Sequence, residues 1–490
     1  MTEDKLSQQK LESYLWGCAE YLRNKIDAGD YKVYIFPMLF YKRVSDIYDE
    51  EYELLLAESN DKKYASNPIN HTFVIPDGSH WGDLRKVTKD VGMKIQKSMQ
   101  EIGKTNPDTL YEIFGDANWG YKERLSDETL IDLIEHFTTE KLSLARVPND
   151  QMGDAYEYLI KKFADDSGHT AAEFYTNRSL VSLMTEILKP QPNESIYDPT
   201  CGTGGMLLEC INYLKRNKKD SRTLSLYGQE KNVISSAIAR MNTLLHGYAD
   251  AKIKQADTLE EPLFLVDDQL QVFDVILANP PYSIKKWNQK GWSDDPYNRN
   301  IYGTPPKGRA DYAFIQHIIK SLSKKGRTAI LLPHGVLFRD AEEDIREKLV
   351  QDDKLETVIG LPKDMFYNSP MEACIMIFHN NKTAKRKNHV LFINAIKDFE
   401  RIDKKNFVNE SHIKKISDAY EKFETVKDFT YVAHTDEIKQ NNNLLSIPLY
   451  VKTKIKDKGP TPKIAVKNWQ QSKSNLFESL KSMTKEIGKE

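Results

Sequence analysis

The spacing of apolar residues divides the chain into three stretches. From Leu11 to about residue 145, apolar side chains recur at helical intervals. Between residues 151 and 405, short apolar runs alternate with helical segments, which is typical of a largely parallel α/β sheet. From residue 406 the chain becomes polar and helical. We therefore predict a helical N-terminal domain over 1–150, an α/β domain over 151–405, and a helical C-terminal segment and tail over 406–490.

Two of the helical segments are candidate docking surfaces for another chain. Residues 31–58 predict a long helix, and Pro37 is expected to kink or break it. The dense aromatic and apolar content of Tyr31–Leu56 suits a core or, in part, a partner surface. Near the C-terminus, a lysine-rich stretch around Gly459 has the composition of an exposed linker. It precedes a short helical stripe formed by Leu476, Leu480, Met483 and Ile487.

An abrupt strand end at Asn279 carries the most specific chemistry in the sequence. Residues Val272–Ala278 are apolar except for Asp274, which predicts a strand buried on both faces. The tetrapeptide Asn279-Pro280-Pro281-Tyr282 then stops the strand, because neither proline has an N–H for the ladder. The carboxyl edge of such a sheet is where ligands bind. We therefore expect this tetrapeptide to face a ligand.

The groups of this tetrapeptide suit an amino group on a planar base. Such a nitrogen is a poor nucleophile, because its lone pair is conjugated into the ring. The Asn279 side-chain oxygen and the Pro280 carbonyl are two acceptors that can hold its hydrogens and stabilise the positive charge that develops on attack. Tyr282 is suited to stack on a base taken out of its helix. A strand followed by a proline-rich turn explains the tetrapeptide alone equally well.

A glycine-rich turn follows an earlier predicted strand. Residues Ser195–Tyr197 predict a strand that reaches Asp198, and a helix begins near Met206. A strand, a glycine turn and a helix form the ligand-binding first unit of a doubly wound sheet. The pattern is not GxGxxG and no Lys-Ser/Thr pair follows, which disfavours nicotinamide and ATP sites. The turn residues are Gly202, Thr203, Gly204 and Gly205.

Acidic residues end the next two predicted strands. Glu230 follows Leu224–Gly228, where a carboxylate is placed to bind ribose hydroxyls, and Asp257 follows Lys252–Ala256. Upstream, a helix start with free N–H groups is suited to hold a cofactor carboxylate and ring, although taken alone a capped surface helix explains it better. That start consists of Glu173, Phe174, Tyr175, Thr176, Asn177 and Arg178, with Thr176 or Asn177 as the N-cap. Together these motifs at one sheet edge predict a methyltransferase.

Composition narrows the location and the partners. At 490 residues the length suits about three domains. No apolar run reaches the length of a membrane span, and the N-terminus has no signal-peptide core. The four cysteines are widely spaced and form no CxxC pair. This indicates a reducing compartment and argues against a structural metal site. We expect a cytoplasmic protein. The net charge is only −2, whereas proteins that bind nucleic acid by themselves are usually basic. If this chain acts on nucleic acid, partner chains are expected to supply much of the binding affinity.

A long loop from Ser283 to Arg309 follows the tetrapeptide. It contains two tryptophans and several glycines and prolines, and loops of this length are usually functional or disordered. We expect it to close over a flipped base or the DNA backbone, with Lys285, Lys286 and Arg309 near phosphates. A disordered surface loop is the alternative.

The motifs together resemble a known family. NPPY with DPTCGTGG is similar to the amino-group DNA methyltransferases that use S-adenosylmethionine, and FYTNRS before the glycine turn matches the motif order of one group of them. Four further stretches, Leu15-Trp16-Gly17 with YKVYIFPMLFYKRVSD, RADYAFIQHIIKSL, GRTAILLPHGVLFR and VIGLPKDMFYNSPMEACIMIF, resemble the modification (M) subunit of type I restriction–modification systems. The resemblance extends from about Leu11 to Tyr450. It departs at Asn177, where the family usually has proline.

The resemblance implies an activity, a cofactor and partners. The expected fold is a Rossmann-like S-adenosylmethionine-dependent methyltransferase domain between helical ends. The expected enzyme is a site-specific adenine-N6 DNA methyltransferase (EC 2.1.1.72), since cytosine-N4 enzymes typically begin the tetrapeptide with serine. The catalytic residues would be Asn279, Pro280, Pro281 and Tyr282. The implied partners are double-stranded DNA, a specificity (S) subunit that reads the sequence, a second M subunit and restriction (R) subunits.

Two other functions compete with this interpretation. A methyltransferase of protein glutamine side chains also suits NPPY, but a stand-alone enzyme would not need the long helical ends. A scaffold subunit with a dead site would lack Asn279 or fill the glycine turn, and the sequence does neither.

Overall fold

A computed structural model of the chain describes residues 5–166, 176–365, 372–402 and 405–452, together with residues 469, 472 and 473. The predicted site residues Glu173, Phe174 and Tyr175 lie outside the described residues, as does the C-terminal stripe Leu476–Ile487. The described residues up to Val451 belong to one compact unit.

The N-terminal part is helical, as predicted. Some of its helices are capped by short polar side chains: the Ser7 hydroxyl accepts from the Lys10 N–H and the Ser126 hydroxyl from the Thr129 N–H. The helices are α1 (Gln8–Leu22), α2 (Tyr31–Ser59), α3 (Lys62–Ala65), α4 (Trp81–Leu84), α5 (Val91–Thr105), α6 (Asp127–Thr138) and α7 (Asn149–Asp166).

Helix α2 runs through Pro37 without the break that the sequence allowed. The residues from Tyr34 to Ile47 are all buried, so packing on every side offsets the backbone hydrogen bond that proline cannot make. Buried Arg43 fixes the helix further, because its guanidinium donates to the carbonyls of Ser143 at 2.9 Å and Val147 at 2.7 Å. The aromatic content of this stretch is therefore core.

The helical core continues through α7. Met152, Tyr156, Leu159 and Ala164 are buried in the same cluster as the residues of α1 and α2. Buried residues between Ala237 and Leu245, on a helix of the α/β part, belong to this cluster as well. The helical part therefore packs directly on the α/β part.

The second part is built on strands and the helices that cover them. The helices are α8 (Arg178–Leu188), α9 (Gly205–Arg216), α10 (Val233–Leu245), α11 (Gln289–Trp292), α12 (Asp311–Lys320), α13 (Glu343–Gln351), α14 (Glu410–Lys422), α15 (Thr435–Gln440) and α16 (Ile447–Tyr450). The strands are β1 (Ser195–Asp198), β2 (Ser225–Glu230), β3 (Lys252–Gln255), β4 (Leu265–Val266), β5 (Gln269–Leu270), β6 (Phe273–Ala278), β7 (Leu322–Pro333), β8 (Leu355–Gly360), β9 (Ala373–His379), β10 (His389–Asn394), β11 (Glu400–Ile402), β12 (Lys405–Phe407) and β13 (Thr430–His434).

The main sheet has the order β13-β10-β8-β9-β7-β6-β1-β2-β3. Strands β3, β2, β1, β6 and β7 are parallel, whereas β9 is antiparallel to both of its neighbours and β13 to β10. The predicted α/β architecture is confirmed. The C-terminal segment is helical in α14–α16, but it also supplies the edge strand β13, which the polar composition concealed.

Helices cover both faces of the sheet. Side chains of β6 alternate: Val275 and Leu277 pack with α8 and α9 residues, and Ile276 and Ala278 pack with α12 residues. Burial on both faces explains the apolar run of β6. Within the described part of the chain, no helix is long and apolar enough to cross a membrane.

Candidate active site

The predicted motifs meet at the carboxyl edge of four parallel strands. Strand β1 lies between β2 and β6, and Asp198 at its end is paired with Gly228. The glycine turn, the two acidic strand ends and Asn279 follow these strands, so the topology brings them to one edge. A cleft opens there, lined by Thr176, Arg178, Val181, Asp198, Thr200, Cys201, Gly202, Thr203, Gly205, Met206 and Asn279.

Hydrogen bonds on both ends of its carboxamide orient Asn279. The Nδ2 donates to the Thr176 hydroxyl at 2.9 Å, and the Oδ1 accepts from the Tyr282 hydroxyl at 2.8 Å. Burial raises the pKa of the Tyr282 phenol well above its ordinary value, so this hydroxyl stays protonated and donates. Pro280 is buried and Pro281 is exposed. The Asn279 oxygen is thus presented as an acceptor at the cleft.

The glycine turn requires glycine for two different reasons. Gly202 and Gly204 have φ of +54° and +81°, the left-handed region that favours glycine. At Gly205, the first residue of α9, a Cβ would lie 2.0 Å from the Arg178 Nη1, so a side chain there would displace the Arg178 guanidinium. The Arg178 guanidinium is paired with the Glu157 carboxylate of α7. Arg178 therefore covers the start of α9.

Two acidic strand ends stabilise the turn itself. Asp198 accepts from the Thr200 N–H at 3.0 Å. Glu230 accepts from the Gly202 N–H at 2.9 Å and from the Asn232 N–H at 2.7 Å. Burial raises the pKa of Asp198 to about 8 and also raises the pKa of Glu230. Repulsion from the Glu230 carboxylate adds to the first shift, and repulsion from Asp257 adds to the second. These acids lie where a positive or hydroxyl-bearing ligand would offset their burial.

Four of the described residues predicted to bind the cofactor are not part of the cleft lining: Asn177, Gly204, Glu230 and Asp257. Two of these, Asn177 and Asp257, are engaged in other contacts. Asn177 is 3% exposed and caps α8 by accepting from the Ser179 N–H. Its Nδ2 donates to the Met365 carbonyl at 3.0 Å, so the side chain points into the protein interior. Asp257 is paired with Lys231 at 2.8 Å and accepts from the Leu259 N–H at 3.0 Å. The departure from the family's proline at residue 177 is thus a helix cap.

Sequence reasoning missed a set of residues that support the cleft. Asn242 of α10 donates to the Thr203 carbonyl at 2.9 Å and to the Glu157 carboxylate at 2.6 Å. Gly228 within β2 lets Cys201 pack closely, because a Cβ there would lie 2.9 Å from the Cys201 sulfur. A glycine inside a predicted strand was the available indication for Gly228. Nothing in the local pattern marked Glu157 or Asn242.

The loop from Ser283 to Arg309 is folded. Arg299 is 2% exposed, is paired with Asp295 at 2.6 Å, and donates to the Thr258 carbonyl at 2.8 Å and the Leu259 carbonyl at 2.9 Å. Trp292 is buried beside it. The alternative of a disordered loop is therefore wrong. Lysines 285, 286 and 307 and Arg309 are exposed on this loop.

The sequence matches two family models. The N-6 DNA Methylase model matches residues 147–458, and the HsdM N-terminal domain model matches residues 11–137. The first match covers more than half of the chain and contains every element of the cleft.

Related proteins agree with both matches. The type I restriction enzyme MjaVII methylase subunit of Methanocaldococcus jannaschii is 30% identical over 89% of this chain and 76% of its own length. The HindI methylase subunit of Haemophilus influenzae is 31% identical, over 79% of this chain and 86% of its own. A methyltransferase subunit of a type I system from Streptococcus thermophilus, known from its crystal structure, is 31% identical in sequence. The match covers 91% of this chain and all of the Streptococcus chain, and the two structures superpose with a TM-score of 0.79. The chain therefore belongs to the N-6 DNA methylase family, as a methyltransferase subunit of type I restriction–modification systems.

Proposed function

We propose that the cleft holds S-adenosylmethionine and that Asn279–Tyr282 present the N6 amino group of a flipped adenine to it. One observation carries this proposal: the glycine turn and Asn279, which are 74 or more residues apart in the chain, line a single cleft. Bound there, the cofactor supplies an electrophilic methyl group. The residues of the chain have to bind it, orient the base and keep the acceptors in place.

The lining fits this cofactor. Asp198 is a buried carboxyl that no lysine or arginine of the described residues pairs with, and a cationic ligand would favour its ionised form. Glu230 offers a second carboxylate at the end of β2, suited to ribose hydroxyls. The backbone of Gly202–Gly205 is open to a close approach. Thr176 and Arg178 close the opposite side of the cleft.

Asn279 and Pro280 are placed to act on the amine. The amide nitrogen of Asn279 is occupied by Thr176, which leaves its oxygen to accept. A second acceptor is the Pro280 carbonyl. Together they hold both hydrogens of the adenine amino group and stabilise the positive charge that develops on its nitrogen. When the base enters, the Tyr282 hydroxyl gives up the Asn279 oxygen and its ring stacks on the base.

Further subunits complete the enzyme. The near-neutral net charge offers little general affinity for DNA, and flipping a base costs a few kcal/mol that contacts to the duplex must offset. We propose that an S subunit reads the sequence, that two M subunits act with it, and that R subunits join for cleavage. The exposed Lys285, Lys286 and Arg309 would contact phosphates beside the flipped base. The complex would act on DNA in the cytoplasm.

Co-expression tests this function. The chain with its cognate S subunit, expressed in a host that lacks N6-adenine methylation, should place the mark at one sequence throughout the genome. The chain alone should bind S-adenosylmethionine, measured by calorimetry, yet leave DNA nearly unmodified. Asn279→Ala with the S subunit is the matched control and should leave the genome unmarked. Site-specific methylation at full rate by the isolated chain would contradict the division of labour. Methylation of cytosine, or of protein alone, would contradict the assigned substrate.

A further inference from the structure

The residue that follows the catalytic tetrapeptide has an unfavourable backbone. Ser283 has φ +50°. This is the left-handed region of the backbone, which residues other than glycine, asparagine and aspartate rarely adopt. Such a conformation persists only where the surroundings hold it. The Ser283 N–H donates to the Asp311 Oδ1 at 3.0 Å. The position of Tyr282 is therefore tied to a contact made by its neighbour.

The acceptor of this contact is itself fixed. Asp311 begins α12 and is 1% exposed. Its second oxygen, Oδ2, accepts from the Arg339 Nη1 at 2.7 Å. The Arg339 carbonyl in turn accepts from the Arg346 Nη1 of α13 at 2.6 Å. Gly335 makes room for this guanidinium, because a Cβ there would lie 2.5 Å from the Arg339 Nε. Three elements thus converge on one turn.

Displacement of this turn would reach the catalytic groups directly. Tyr282 precedes Ser283, and its hydroxyl sets the Asn279 oxygen at 2.8 Å. We propose that Asp311 and Arg339 form a clamp that holds Ser283 in its left-handed conformation and so positions Tyr282, whose hydroxyl orients Asn279 before the base enters and whose ring then stacks on the base for methyl transfer. They act as positioning residues. This inference rests on the proposed function of the same site.

The same arrangement occurs far from the cleft and supplies a matched control. Asp353, at the amino end of β8, accepts from the Asn388 N–H at 2.9 Å and from the buried Lys382 Nζ at 2.6 Å. Asn388 also has a positive φ, of +58°. A carboxylate that joins a buried cation to a left-handed turn is therefore not in itself catalytic. Asp311 differs from Asp353 because the turn that it holds directly follows the catalytic tetrapeptide.

The first test compares Asp311→Asn with Asp353→Asn. Each variant is co-purified with the S subunit and followed by single-turnover methylation of the target duplex, normalised to folded enzyme by circular dichroism. An asparagine has one acceptor oxygen instead of two, so it cannot accept from both the Ser283 N–H and the Arg339 Nη1. We therefore expect Asp311→Asn to lower the methyl-transfer rate about 10- to 100-fold, as for a misplacement of reacting groups near 1 Å, with unchanged S-adenosylmethionine affinity. Asp353→Asn should leave the rate unchanged. Equal rates for both variants and the wild type would overturn the clamp.

A rescue experiment separates positioning from folding. Glycine adopts a left-handed φ without the cost that serine carries. Ser283→Gly introduced into Asp311→Asn should therefore recover part of the lost rate. It should recover nothing if Asp311 acts only by stabilising the fold. Arg339→Lys, which keeps the positive charge, covers the case in which Asp311→Asn does not fold, and it should also lower the rate at unchanged cofactor affinity. A normal rate for folded Arg339→Lys would overturn the clamp.

A double-mutant cycle tests whether the pair acts as one unit. Arg339→Gln alone and Asp311→Asn alone should each lower the rate, and the double variant should be no slower than either. Additive losses would contradict a joint role. If the wild-type complex itself does not methylate adenine, the proposed function fails. If the wild type methylates and the variants match it, only the clamp fails.

Discussion

Two buried carboxyl groups at opposite edges of the same sheet have opposite surroundings. Asp198 ends β1 at the carboxyl edge, and Glu356 begins β8 at the amino edge; they are 2% and 1% exposed. Glu356 accepts from the Arg386 Nη1 and from the Tyr420 hydroxyl, both at 2.7 Å. Asp198 accepts one backbone N–H and has no cationic partner among the described residues. Burial raises its pKa to about 8.

This difference distinguishes a carboxylate that stabilises the fold from a carboxyl that is suited to bind a ligand. A buried carboxylate with a cation and a hydroxyl has its charge offset and can stabilise the packing of the elements that supply those groups. Here Tyr420 comes from α14, which packs against β10 and α8. Burying a carboxyl without a cation lowers the free energy of unfolding. Such groups are found mainly at functional sites, where a bound ligand can offset this loss. We therefore expect changes at the amino edge to alter stability and changes at the carboxyl edge to alter chemistry.

The largest effect is expected from Asn279→Ala at the carboxyl edge. Loss of one acceptor for the developing charge should lower the methyl-transfer rate on the order of 10²–10³-fold, by analogy with loss of an oxyanion-hole donor. Cofactor affinity and the free energy of unfolding should change little. Single-turnover kinetics with the S subunit, calorimetry and urea unfolding measure the three quantities. Near-normal turnover would exclude the proposed role of the carboxamide.

Arg386→Met makes the complementary change at the amino edge. It leaves Glu356 buried with Tyr420 but without its cation, which should lower the free energy of unfolding by roughly 3 kcal/mol. Methyl transfer per folded molecule should stay normal. Urea unfolding gives the first value and single-turnover methylation the second. A fall in transfer rate comparable to that of Asn279→Ala would mean that the two edges are not functionally separate.

Two substitutions of Tyr282, at the carboxyl edge, separate the contribution of its ring from that of its hydroxyl. Tyr282→Ala removes base stacking worth roughly 1–3 kcal/mol and should weaken capture of the flipped base. Tyr282→Phe keeps the ring and loses only the hydroxyl that occupies the Asn279 oxygen, so its loss should be much smaller. Fluorescence of 2-aminopurine placed at the target adenine reports flipping. Equal losses for the two variants would show that the hydroxyl, rather than the ring, carries the role.

The smallest effect concerns pH and Asp198. A bound cationic cofactor favours the ionised carboxylate, so affinity should rise with pH up to the free-state pKa of about 8 and level off above it. Asp198→Asn keeps an oxygen for the Thr200 N–H and removes the titrating group. The wild type should gain up to about tenfold in affinity between pH 6 and 8.5 relative to this variant, since each pKa unit corresponds to 1.36 kcal/mol. Calorimetry at four pH values tests this, and parallel profiles would refute it.

The sequence alone determined the fold class and the position of the candidate site in the sheet. Short apolar runs that alternate with helical segments indicated a parallel sheet, and the residues at the ends of β1, β2 and β6 were placed correctly at its carboxyl edge. This worked because strand burial and strand ends leave local patterns of apolar residues, glycine and proline. The edge strand β13 escaped detection, since its segment is short and its neighbourhood is polar.

Tertiary structure decided which side chains point into the cleft and which groups hold them. Asn177 and Thr176 are adjacent in the chain, yet only Thr176 lines the cleft, because the N-cap geometry turns Asn177 inward. Glu157 and Asn242 support the cleft from helices that the pattern marked only as core. The contact of Ser283 with Asp311 joins residues 28 positions apart. Local spacing records which face of an element is buried, whereas these contacts depend on how separate elements pack in three dimensions.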